Sequence, residues 1–164
     1  MKRIVLFVLV LASSFANAQA FKGKGDLKGQ VGLNLQSGGS GISVMSDFGL
    51  GSNMSVGFLS SYMLNANTIN NEKPRFGDRI DVKFRFNANI GDVFHLPKNV
   101  DVYPGLNLGL RNFGGHLGGR YFFTQGFGLF AETSFPLASY DSHLSGFDYY
   151  NNQFEFHIGA SFNL

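Results

Sequence analysis

From Gln153 to Leu164 every second residue is apolar. Phe154, Phe156, Ile158, Ala160, Phe162 and Leu164 alternate without a break with Gln153, Glu155, His157, Gly159, Ser161 and Asn163. A strand turns successive side chains to opposite faces, whereas a helix repeats about every 3.6 residues. The segment therefore folds as a strand with one wholly apolar face and one wholly polar face.

Seven further segments carry the same two-residue period. They cover residues 26–35, 42–50, 54–64, 79–90, 101–111, 116–123 and 127–135. In the fourth, Ile80, Val82, Phe84, Phe86, Ala88 and Ile90 oppose Arg79, Asp81, Lys83, Arg85, Asn87 and Asn89. Glycine-rich or tight turns separate the segments at 37–41, 51–53, 112–115 and 124–126, and 91–99 forms a medium link. The polar stretches 65–77 and 138–151 read as the two long loops. Pro104 falls inside the fifth segment, where proline calls for an edge or a bulge. The pattern predicts an all-β chain of eight antiparallel strands in up-and-down order, with both termini at one end.

The first 18 residues read as an export signal rather than as structure. Lys2 and Arg3 precede the apolar run 4–11, and Ala16-Asn17-Ala18 supplies small residues for cleavage after position 18. Ala18-Gln19-Ala20 offers a second site, after position 20. Eight apolar residues are too few to cross a hydrocarbon core of about 30 Å as a helix. Residues 19–25 then form a flexible lead-in to a barrel domain over 26–164.

With Lys2 and Arg3 removed, basic residues fall from 13 to 11, equal to the 11 acidic ones. A chain without net charge offers no field for nucleic acid. There is no cysteine, so neither disulfides nor a lipid-modified cysteine contribute. The 22 glycines, 19 phenylalanines and 15% charged residues suit β-structure better than an ordinary soluble domain.

Alternation alone leaves two orientations open: an inside-out barrel in a membrane, or a soluble lipocalin-like barrel holding an apolar ligand. An eight-stranded barrel is only just wide enough to be filled by side chains. Nine phenylalanines pointing inward would overfill it. The opposite faces are rich in Gly, Ser and Asn, which suit a narrow lumen. Six basic residues on those faces (Lys28, Arg79, Lys83, Arg85, Arg111 and Arg120) match six acidic ones (Asp26, Asp47, Asp81, Asp101, Glu132 and Glu155). A lumen with little water requires such pairing, because isolated buried ions are costly. The expected luminal network is Arg79, Asp81, Lys83, Arg85, Arg111, Arg120, Glu132 and Glu155, with Glu155 partnering an arginine. The fold class is an eight-stranded antiparallel transmembrane β-barrel.

On these grounds the chain resembles the small eight-stranded outer-membrane β-barrels of Gram-negative bacteria, including the barrel domain of outer-membrane protein A. His157, Gly159, Phe162 and Leu164 fit that family's terminal assembly pattern, although many members end on an aromatic residue. The resemblance implies an integral outer-membrane protein surrounded by lipid, whose last strand the barrel-assembly machinery reads. It implies a structural or surface-interaction role; a minor channel is the alternative. Some barrels of this size are enzymes, but the only Ser, His and acid in proximity here are Ser142, His143 and Asp141. Adjacent residues seldom converge in a catalytic geometry. The histidines His95, His116, His143 and His157 lack metal-ligand spacing, and no helix follows the glycine runs to make a phosphate loop. No cofactor or metal is expected.

Overall fold

In the computed structural model, which describes residues 18–164, the alternating segments close into a single barrel. The expected signal segment falls outside the described residues up to position 17. The strands are β1 (Leu27–Gln36), β2 (Gly39–Gly49), β3 (Met54–Ala66), β4 (Ile80–Ala88), β5 (Val100–Gly109), β6 (Asn112–Phe122), β7 (Phe127–Ser139) and β8 (Glu155–Asn163). Each pairs antiparallel with its sequence neighbours, and β8 returns to β1 through the register Val31–Ala160 and Leu33–Ile158. Among the described residues closure leaves no edge strand, so the row of unpaired amides that an open sheet exposes is absent there.

The apolar residues face outward. Val31, Leu33, Val44, Phe48, Phe58, Phe84 and Leu129 are exposed, Phe58 to 59%. The opposite face of the same strands is buried: Gln30, Asn34, Ser43, Asp47, Asp81, Lys83, Arg85 and Glu155. This is the inside-out arrangement of a transmembrane barrel, and it overturns the soluble alternative, which needs the same phenylalanines inside. The lumen is not purely polar. Met45, Leu59 and Phe130 form an apolar cluster within it, and Tyr103, Met63 and Phe122 are also buried.

Two turns lie elsewhere than the glycine pattern predicts. The glycines at 39 and 41 belong to β2, leaving only Ser37 and Gly38 in the turn. Gly114 and Gly115 belong to β6, and the β5–β6 turn is Leu110 and Arg111. These glycines serve close packing. A Cβ on Gly115 would sit 3.0 Å from the Phe135 ring, and one on Gly114 would sit 2.6 Å from the Phe135 carbonyl oxygen.

Pro104 stays within β5, opposite Leu117 of β6. The β4–β5 ladder stops at Asn87–Gly105, so beside Pro104 there is no β4 partner to miss its amide. The ring therefore marks an interruption of that seam, which resumes where the Ile90 N–H donates to the Val102 carbonyl at 2.9 Å.

Candidate functional site

Eight strands leave space for one layer of side chains inside, and in this chain ion pairs occupy it. Arg85, from the middle of β4, meets Glu132 of β7 through Nη2 to Oε2 at 2.6 Å and Nη1 to Oε1 at 3.2 Å. Its Nε lies 3.2 Å from Asp47 Oδ1 on β2. Arg120 of β6 bridges Asp47 at 3.5 Å and Asp101 at 3.4 Å, and its guanidinium stacks 4.1 Å from the centre of the Tyr103 ring. Planar guanidinium groups suit this bidentate and stacked setting better than a lysine would. Lys28 pairs with Asp26 at 2.6 Å. Lys83 lies 2.7 Å from Glu155 and 3.4 Å from Asp81, and His157 Nε2 lies 3.3 Å from Glu155.

Six of the eight residues expected in the network (Asp81, Lys83, Arg85, Arg120, Glu132 and Glu155) thus line the lumen and are buried. Arg79 and Arg111 do not. Arg79 ends a single helical turn, Phe76–Arg79, which Asp78 initiates by accepting the Arg75 backbone N–H at 2.7 Å. Its guanidinium donates to the carbonyls of Met63 and Leu64, both at 2.7 Å, and covers the Tyr62 ring. Arg111 lies in the β5–β6 turn and donates to the Gly77 carbonyl at 2.5 Å. Both are rim residues, and the partner of Glu155 is Lys83 rather than an arginine.

The expected six-to-six balance therefore becomes four cations (Lys28, Lys83, Arg85, Arg120) against the six carboxylates inside. Neutral donors make up part of the difference. Asp101 accepts from Asn89 Nδ2 at 2.8 Å and from the Gly91 amide at 3.3 Å. Asn87 links Arg85, Ser55 and His116. Alternation identified these polar positions as luminal, but which side chains meet depends on the stagger between strands.

Both mouths are covered. At the end holding the C-terminus, residues 18–26 fold across the opening instead of trailing away. The Ala20 N–H donates to the Lys98 carbonyl at 2.8 Å, Ala20 packs on Phe122, and Asn163 Nδ2 donates to the Gln19 carbonyl at 3.3 Å. At the opposite end, Asn151 and Asn152 are buried over the lumen. Gln36 Nε2 donates to Asn151 Oδ1 at 2.8 Å, and Asn112 Nδ2 donates to Asn152 Oδ1 at 2.9 Å. Amides suit this task because each both donates and accepts.

The terminal strand carries three of the four residues of the expected assembly pattern, and Leu164 follows it. His157 and Gly159 face inward, and Phe162 faces outward, 5.7 Å from the Phe127 ring. Leu164 is exposed. A Cβ on Gly159 would meet the Val31 carbonyl oxygen at 2.2 Å, so the closing seam itself needs glycine there. The acid and histidine of the 138–151 loop meet only through the backbone. Asp141 accepts from the His143 backbone N–H at 2.9 Å, not from its ring.

The backbone is similar to that of a de novo designed transmembrane β-barrel, with a TM-score of 0.55 and 8% identity over 87% of this chain and 98% of that one. Outer membrane protein G from Pseudomonas aeruginosa is also similar, with a TM-score of 0.47 and 9% identity over 88% of this chain and 99% of that one. At such identities the designed barrel speaks for the fold alone. No curated protein matches the chain. A model described as a family of unknown function, DUF6646, matches residues 10–164, and the chain belongs to that family.

Proposed function

We propose that the protein is an integral outer-membrane barrel with a structural or surface-interaction role and no catalysis, and that its two long loops face the cell exterior. The observation that carries this reading is the inverted distribution of side chains: phenylalanine and leucine outside, paired charge inside. Burying such an exterior in hydrocarbon is favourable by about 25 cal/mol per Å² of apolar surface. In water the same surface is an aggregation hazard. The end with the C-terminus then faces the periplasm, which puts the two longest connections outside, where bacterial outer-membrane barrels carry their longer loops. The export segment 1–18 is consistent with this route, with lipid as the surrounding partner. The terminal strand, through His157, Gly159, Phe162 and Leu164, would present itself to the barrel-assembly machinery.

Two features weigh against a minor channel: the ion pairs that occupy the lumen and the covers over both mouths. Cell fractionation joined to heat-modifiable gel migration tests the proposal. Recovery in the outer-membrane fraction, with a faster-migrating unboiled form, is the expected result. A soluble, monomeric protein in plain buffer would refute it.

A further inference from the structure

Three of the connections at the mouth opposite the C-terminus enclose a cleft of about 420 Å³ that barrel closure does not require. We propose that this cleft binds an uncharged sugar ring of a glycan; the inference rests on these loops facing outward. Tyr149 and Tyr150 form its aromatic wall, and Ser37, Asn67, Thr68 and Gln153 contribute hydroxyls and amides. Among its lining residues none carries a charge. The volume falls within the range of about 300–1,000 Å³ common to small-molecule sites.

The lining matches one chemistry. A sugar ring has an apolar C–H face, which suits the ring of Tyr149, exposed to 51%. Its hydroxyls both donate and accept, as do the amides and hydroxyls around it. A phosphate or carboxylate would need a cation, and none lines the cleft; Lys73 and Arg79 line an adjoining depression that shares Thr68. A purely apolar ligand would cover the polar groups of the lining without replacing the hydrogen bonds they make to water.

The cleft is also built in advance. Tyr150 Oη donates to the Asn67 carbonyl at 2.9 Å, the Asn67 N–H donates to the Gly38 carbonyl at 2.9 Å, and Gln153 Nε2 donates to the Ser37 carbonyl at 2.7 Å. Three connections are therefore tied together before any ligand arrives, which lowers the ordering cost of binding.

The test uses mature protein refolded in phosphocholine micelles, which present no sugar headgroup. It is applied to an array of uncharged hexose oligosaccharides, acidic glycans and unrelated peptides. Binding to uncharged members is expected, weakened at least about tenfold by Tyr149→Ala or Asn67→Ala. Lys98→Ala, at the opposite mouth, leaves it unchanged, and heat-modifiable migration shows that each variant has folded. A blank array, binding confined to acidic glycans or peptides, or binding indifferent to both cleft variants overturns the proposal. Orientation is read separately with Thr68→Cys, because the chain has no other cysteine. Reaction with a membrane-impermeant maleimide on intact cells supports outward loops. Labelling with a blank array removes the glycan alone, whereas absent labelling removes the surface reading as well.

Discussion

At the scale of single residues, two arginines six positions apart differ in every respect that matters for stability. Arg85 is fully buried between Glu132 and Asp47, whereas Arg79 spans two carbonyls at the rim. Arg85→Ala leaves Glu132 in the lumen without its cation and Asp47 with Arg120 alone, and should cost about 3–5 kcal/mol. Arg79→Ala removes hydrogen bonds at the rim and should cost only about 1 kcal/mol. Urea midpoints of the refolded variants check the contrast, and equal costs would contradict the rim placement. Phe84 offers an independent probe from the opposite face. It stands outward at the middle of β4, with its ring centre 5.5 Å from that of Phe58. Phe84→Arg should cost about 2–4 kcal/mol in lipid micelles, as for a charge near the bilayer midplane; unchanged stability would place this face in water. Which residues face the lumen was readable from alternation. That Arg79 and Arg111 leave it was not, because a helical turn and a displaced turn take each out of its strand.

At the scale of elements, the β4–β5 seam is the thinnest, with a ladder from Lys83–Gly109 to Asn87–Gly105 and single backbone bonds beyond it, Leu110 to Val82 and Ile90 to Val102. Its amides should exchange with deuterium earlier than those of β1–β2 or β6–β7, because local opening follows the density of pairing. Exchange read by mass spectrometry on the refolded barrel tests this ranking. The loop cap at the opposite mouth has its own weak point in Gly38. It adopts φ +79°, and an added Cβ would lie 2.7 Å from the Tyr150 ring. Gly38→Val should therefore displace Tyr150 and open the 138–151 loop, seen as faster proteolysis there while the barrel still migrates as a folded species. Strand number, order and facing were all legible in the sequence. The turn at 112–115 was misplaced, because glycine signals a turn and a tight packing contact in the same way.

For the whole molecule, the ion pairs and the two covers predict a closed wall. Refolded protein in a planar bilayer should show no stable conductance, since open aqueous channels belong to barrels of about 16–18 strands. Steady single-channel steps would mean that the 18–26 segment or the Asn151–Asn152 cap moves aside. The sequence by itself determined an all-β chain, eight strands, and one face for oil and one for charge, because a period of two survives in any sheet the strand joins. It did not determine the partners within the lumen, the four-to-six count of charges or the covered mouths. Those follow from strand stagger and closure, which bring together side chains far apart in the chain. Lys83 and Glu155 meet across 72 residues, and Arg120 and Asp47 across 73. Only the closed three-dimensional barrel specifies such contacts.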